Sequence, residues 1–311
     1  MRRLSVLALA VTLDRAFGEP PTVIHPVVWL GRLISWLDAR APGQGTGRRV
    51  LFGGGLVATV LCAAALPALL LDRLTRRWPV SLAVVTLAVA LKPAFAWRSL
   101  DDHARRVAAP LQADDIHRAR TALSMIVSRP TQDLDAARIA AGAIESLAEN
   151  LSDSLVAPLF WFTIGGLPGA WTYRAANTMD AMIGYRTERH EHTGKIAARL
   201  DDALNWLPAR ITSLLIVAAS AVVGASCESA WRMTQRDGGA TASPNAGWPM
   251  AAMAGALGVE LEKIGHYRLG AGQRAPVPAD VYRALAISRW AALLGIALVA
   301  SASAAVRRVR R

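Results

Sequence analysis

The chain has 311 residues, of which 53% are apolar and 19% charged, with a net charge of +12 and a mean hydropathy of +0.29. So apolar a composition excludes an ordinary soluble enzyme and predicts an integral membrane protein. The basic excess does not make it a nucleic-acid binder, because the Lys and Arg residues sit at segment ends and form no stripe interleaved with aromatics.

Leu4 to Leu13 predicts a short first membrane segment. Its basic start and its Ala8-Leu9-Ala10 imitate a signal-peptidase site, but the run continues into DRAFGEPPTVIHPVVWLGR, which reads as part of the working protein. There Asp14, Arg15, Glu19, His25 and Arg32 crowd around Gly18, Pro20, Pro21, Pro26 and Gly31, residues that disfavour a regular helix. A Gly- and Arg-rich loop then leads to Val50 to Leu71, which carries no charge. A hydrocarbon core of about 30 Å needs about 20 such residues as a helix. Trp78 to Trp97 is the next apolar segment, interrupted only by Lys92. Arg73, Arg76 and Arg77 between these segments, with Arg307, Arg308, Arg310 and Arg311 at the end, predict that this turn and the C-terminus face the cytoplasm. Cys62 and Cys227 suggest neither a disulfide framework nor a metal site. No G-x-x-x-x-G-K-[ST] occurs, which excludes a P-loop.

Ser99 to Asp135 predicts amphipathic helices outside the bilayer, with Ile116, Ala119, Leu123 and Ile126 at helical spacing and His103 and His117 on the surface. After the Ser128-Arg129-Pro130-Thr131 turn comes ESLAENLSD, residues 145–153. At 100° per residue Glu145, Glu149, Ser152 and Asp153 share one stripe, opposite Ile144, Leu147, Leu151 and Leu155. An ordinary solvated face offsets like charges at this spacing with Lys or Arg, and none occurs between Arg138 and Arg174. The acids therefore need a counter-charge from elsewhere, a bound cation or arginines returned by the fold.

Leu155 to Tyr173 is uncharged but interrupted by Pro158, Gly165, Gly166 and Pro168. A second polar block follows, in which Arg174, Asn177 and Thr178 share a helical face beside Asp180, and Arg186 lies further on. Asp201, Asp202 and Asn205 share another face, with Arg199 before and Arg210 after. Ionisable residues at the edge of a membrane segment are costly unless paired, which makes them site candidates, with structural ion pairs such as Arg199 with Asp202 as the plainer reading. His190 and His192 fit no helical metal motif. Ile211 to Cys227 and Trp290 to Val306 are the last apolar segments, and small residues from Ala251 to Ala256 would let helices approach closely. The sum is an all-α, polytopic membrane helical bundle with amphipathic extramembrane helices, one membrane-embedded domain over residues 1–311 with about four to six crossings.

ESLAENLSD followed by VAPLFWF, then YRAANTMDAMIGYRTER and ARLDDALNWLPAR, with DRAFGEPPTVIHPVVWLGR before them and SPNAGWPMAAMAGALGV after, closely resembles the adenosylcobinamide-phosphate synthase family of cobalamin (vitamin B12) biosynthesis. The resemblance spans nearly the whole chain. The family pattern has Gly at the position of Ser154, usually Asp at Pro130 and usually Glu at Met250.

The resemblance implies a ligase of the inner membrane, ATP-dependent and with its active site on the cytoplasmic side. It would join a propionate carboxylate of adenosylcobyric acid to the amine of aminopropanol phosphate, or of a related amino alcohol, beside other membrane enzymes of the late pathway. A carboxylate is a poor electrophile, so ATP must first phosphorylate it, and phosphoryl transfer calls for Mg²⁺ and cationic side chains. Glu145, Glu149, Asp153, Asp201 and Asp202 are the Mg²⁺ candidates on this reading. Arg174, Arg186, Arg199 and Arg210, with Asn177, Asp180 and Asn205, are candidates for phosphate or substrate. His25 or one of the acids Glu145, Glu149 and Asp153 would deprotonate the amine. With ATP and corrinoid both cytoplasmic, the segment 155–173 is expected to re-enter or to line a cavity, its two flanking polar blocks meeting at the mouth. A corrinoid transporter or channelling component is the alternative, and it would need no nucleotide-driven amide product.

Overall fold

The computed structural model describes residues 2–309, with side chains through Ser301. Arg310 and Arg311, and the side chains of Arg307 and Arg308, fall outside that description, and with them the basic C-terminal end expected at the cytoplasmic face. In chain order the helices are α1 (Arg2–Phe17), α2 (Pro26–Asp38), α3 (Thr46–Leu74), α4 (Val80–Leu91), α5 (Trp97–Gln112) and α6 (Ile116–Ser124). Next come α7 (Ala136–Leu151), α8 (Ala157–Ile183), α9 (Lys195–Val222), α10 (Cys227–Asp237), α11 (Gly247–Leu257) and α12 (Pro278–Val309). One antiparallel hairpin, β1 (Leu261–Lys263) with β2 (Tyr267–Leu269), interrupts the helical series. Among the described residues five stretches are long and apolar enough to cross a membrane: Thr46–Arg77, Val80–Gln112, Ala136–Ile183, Lys195–Val222 and Pro278–Ser301. The protein is thus all-α in class and polytopic in character.

The chain divides into two compact units. The first takes in the residues up to Ala96, Ala157–Leu204 and the end of α12 from Val299. Within it α1 packs on α4, and both α2 and α3 pack on α8. The Pro-rich stretch expected to resist a helix holds α2. Pro26 occupies the first turn, where its missing N–H costs nothing, and the His25 side chain caps the helix by accepting from Val27 N at 3.2 Å. The apolar run 78–97 is not one helix either. It stops at Leu91, turns through a 3-10 segment at Lys92–Ala94 and restarts as α5.

α8 is not a straight rod. Gly166 has φ 65° and ψ −154°, a conformation open to glycine alone, and beyond it the chain doubles back. A Cβ on Gly169 would lie 2.3 Å from the Trp161 carbonyl oxygen, eight residues earlier, which a continuous helix would hold about 12 Å away along its axis. The break frees carbonyls, and Arg3 Nη1 donates to one of them, Thr163 O, at 2.8 Å.

The second unit comprises Trp97–Val156 and Asn205–Leu298. Its centre is α7, started by Asp135, whose side chain accepts from Arg138 N at 2.8 Å, and packed against α5, α6, α11 and β1. Every residue from Ile139 to Ala148 is buried. The small residues of α11 do what their size predicts. A Cβ on Gly255 would come 2.5 Å from the Ser229 carbonyl oxygen, so α11 and α10 meet backbone to backbone.

Candidate functional site

Directly after α7 the ladder slips into a π-turn, Ser152–Val156, which carries Asp153 and Ser154. A widened turn of this kind often marks a functional position, because it rotates the residues beyond it onto a new face. The acidic stripe enters this turn inside the second unit. Glu145 is 5% exposed, and its Oε2 takes a 2.6 Å ion pair from Arg129 Nη2. This is the arginine whose return was one of the two expectations. The connection after α6 delivers it, and Gly142 leaves the room, since a Cβ there would sit 2.7 Å from Arg129 Nη2.

Tyr267, on β2, completes the group. Its hydroxyl reaches Met250 Sδ at 3.8 Å and interacts with Glu145. Burial first, then the charges of Glu145 and Glu149, push the phenol well above its usual range, so it keeps its proton. Glu149, half-buried, lies near enough to act on Tyr267 and Glu145 alike. Also in this unit, the Arg210 guanidinium lies over the rings of Trp206 and Trp248, 4.3 Å and 4.4 Å from their centroids. Its Nη1 donates to Trp206 O at 2.7 Å and to Asn245 Oδ1 at 3.4 Å. Asn205 is buried on the same helix.

The first unit holds the other candidates. Asn177 Nδ2 donates to Asp201 Oδ1 at 3.4 Å, joining the NTMD stretch of α8 to the RLDD stretch of α9. Arg199 and Arg186 both lie near enough to Asp202 to act on it electrostatically. Arg174 is half-buried, and its Nε is buried without a hydrogen-bond partner. Asp180 packs so closely on Gly184 that a Cβ there would meet its Oδ1 at 2.0 Å.

A further charged group gathers where α1 and α4 end and α2 begins. Lys92 Nζ stands 2.8 Å from Glu19 Oε1 and 3.5 Å from Asp14 Oδ1. Glu19 Oε2 meets His25 Nε2 at 2.9 Å. Since His25 Nδ1 accepts from Val27 N, the hydrogen-bond pattern assigns the ring proton to Nε2, which donates to Glu19. Both ring nitrogens are thereby committed, and His25 sits as a helix cap and carboxylate partner. Burial would raise the Glu19 carboxyl, but the hydrogen bond from His25 and the charge of Lys92 beside it outweigh that and hold the group below its usual value.

Among the described residues no three or more His, Cys, Asp or Glu side chains converge as a metal would require. Of the acids expected to hold Mg²⁺, Glu145 has a guanidinium in contact. Neither Arg129 nor Tyr267 is legible in the sequence as a partner of the acidic helix, since each approaches it only through the chain's folding. The absence of Lys and Arg around residues 145–153 was the one signal pointing to Arg129.

The CobD/Cbib protein family model matches residues 7–294. The chain belongs to the CobD/Cbib family. Among its relatives, the cobalamin biosynthesis protein CobD of Dehalococcoides mccartyi is 41% identical over 282 residues, covering 90% of this chain and 91% of that protein. The probable cobalamin biosynthesis protein CobD of Methanothermobacter thermautotrophicus is 42% identical, covering 87% and 88% of the two chains. The CobD of Rhodobacter capsulatus is 40% identical and covers 96% of each. No solved structure matches. The CobD/Cbib match takes in all of ESLAENLSD, YRAANTMDAMIGYRTER, ARLDDALNWLPAR and SPNAGWPMAAMAGALGV, so the polar clusters lie inside the matched span.

Proposed function

We propose that the protein acts in cobalamin biosynthesis as a membrane-bound, ATP-dependent amide ligase, joining adenosylcobyric acid to aminopropanol phosphate or a related amino-alcohol phosphate. The observation that carries the reading is the buried Glu145–Arg129 ion pair, with Arg186 and Arg199 acting on Asp202, inside a chain whose CobD relatives bear cobalamin biosynthesis names. Such groups are costly at membrane depth and persist where they serve a site.

The chemistry divides into activation and attack. ATP supplies the phosphoryl group that makes the corrinoid carboxylate electrophilic. Arg186 and Arg199 suit phosphate or carboxylate oxygens, because a guanidinium fork binds two oxygens at once. Arg174 has a buried donor left over for such a ligand. Asn177 orients Asp201 beside them. In this reading Mg²⁺ arrives on the nucleotide's own phosphates, for which one or two carboxylates suffice, and no step is drawn through a protein-held metal. With both nitrogens of His25 committed, the base that frees the amine is drawn from the acidic helix, with Glu149 the half-buried choice. The bilayer is the inner membrane and the site faces the cytoplasm, where ATP and corrinoid are available.

The test is a single assay. Detergent-purified protein is given adenosylcobyric acid, aminopropanol phosphate and Mg-ATP, and product mass is measured with ADP release. Amide product coupled to ADP is expected, and Glu149→Gln should abolish ADP release while the protein still inserts. Corrinoid binding or transport with no amide product would overturn the ligase reading in favour of a transporter.

A further inference from the structure

Two five-residue stretches share the pattern W-L-x-A-R, from Trp36 to Arg40 and from Trp206 to Arg210. In each the arginine reaches back four residues, lays its guanidinium over the tryptophan ring and donates from Nη1 to that tryptophan's carbonyl oxygen. Spacing along a helix is enough to make such a pair. Among the described residues the Arg40 guanidinium has no further hydrogen bond, ion pair or ring contact. Arg210 has more. Trp248, on α11, brings a second ring 4.4 Å from its guanidinium carbon, and the buried Asn245 offers Oδ1 to Nη1 at 3.4 Å. The fold has thus built a second wall around this one arginine.

Both acceptors of Arg210 are neutral, and among the described residues no carboxylate pairs with it. A half-buried guanidinium without a counter-ion, on a helix of spanning length, is costly until an anion meets it. The indoles cover the flat face of the cation, and Nη1 is already engaged. Nε and Nη2 remain as a planar fork, the arrangement that matches two oxygens of one phosphate. Position selects phosphate among anions. Trp206, Leu207 and Leu214 on the same helix are exposed, and a tryptophan beside exposed leucines settles at headgroup level, where phosphate is the anion on offer.

We propose that Arg210, held in plane by Trp206 and Trp248 and steadied by Asn245, binds a phosphate group at the bilayer edge, presented by a membrane lipid or by the amino-alcohol phosphate. Only the second source rests on the ligase reading.

The experiment uses the full chain in dodecyl maltoside, which carries no phosphate, and has two arms. Native mass spectrometry compares phosphatidic acid with diacylglycerol of the same chains, and calorimetry compares aminopropanol phosphate with aminopropanol. Wild type should prefer the phosphate-bearing member by about tenfold or more in at least one arm, as one charge-assisted hydrogen bond provides. The arm that responds names the source. Arg210→Gln should remove the preference there. Arg210→Lys, which keeps the charge without the fork, should weaken it several-fold and carries the test if Arg210→Gln fails to fold. Arg40→Gln should leave it unchanged. No preference in wild type, full preference in the Arg210 variants, or an equal loss in Arg40→Gln would overturn the proposal. The ligase assay on wild type reads separately. Amide product without an Arg210-dependent preference defeats the phosphate site alone, and an Arg210-dependent lipid preference in a protein that forms no amide defeats the ligase reading alone.

Discussion

Lys92 offers the most direct test of how this protein keeps charge inside its apolar body. Its ammonium is 8% exposed and is shared by Glu19 at 2.8 Å and Asp14 at 3.5 Å, the latter fully buried. At an effective dielectric of about 20, Coulomb attraction is roughly 5–6 kcal/mol for each contact, most of it consumed by desolvating the three groups. Removing one partner of a buried set leaves the others uncompensated, at about 3–5 kcal/mol. Glu19 keeps 28% side-chain exposure and can recover some hydration, which places Lys92→Met near the lower end, about 3 kcal/mol or roughly a hundredfold in the folding equilibrium. The triple variant Lys92→Met, Asp14→Asn, Glu19→Gln removes the charges together and should regain most of that loss. Thermal denaturation in detergent, followed by tryptophan fluorescence and size exclusion, measures both. A single variant as stable as wild type, or a triple variant as unstable as the single one, would refute charge pairing as the reason for burying Lys92.

Gly166→Ala should cost about 1–3 kcal/mol, because φ 65° with ψ −154° is closed to a residue with a Cβ, and the same melting assay reads it. Asp237 sets a pH dependence. The hydrogen bond from Arg236 lowers its carboxyl below the ordinary 3.8 against the opposing effect of burial, and the Gly270 N–H adds to the lowering. A depressed carboxylate contributes stability that is fully present above its unfolded value and lost as pH falls through the folded one. The melting temperature of wild type should exceed that of Asp237→Asn by a constant margin near neutral pH, and the margin should close below about pH 3.8. A margin that persists at lower pH would show that Asp237 acts through packing.

Class and character were legible in the sequence because both follow from local composition. Apolar runs of spanning length, Arg clusters at their ends and the helical stripe of ESLAENLSD all appear within a few turns of chain, where periodicity is set. Even the irregular backbone of α8 was announced, since Gly165, Gly166 and Pro168 can hardly sit together in an unbroken helix. The helix at Pro26 was not, because a proline reads alike as a breaker or as a first-turn residue until its neighbours cap it, and here His25 does so.

What the sequence determined by itself was a debt of charge: acids at residues 145, 149 and 153 with no cation nearby in the chain. Only the tertiary structure decided how part of that debt is met. Arg129 reaches Glu145 from the turn before α7 through space that Gly142 leaves on that helix, and Tyr267 arrives on a hairpin built from residues far along the chain. No periodicity encodes such meetings. They depend on which helices pack together, and packing is chosen by the burial of whole faces, among which a single Tyr or Arg contributes little.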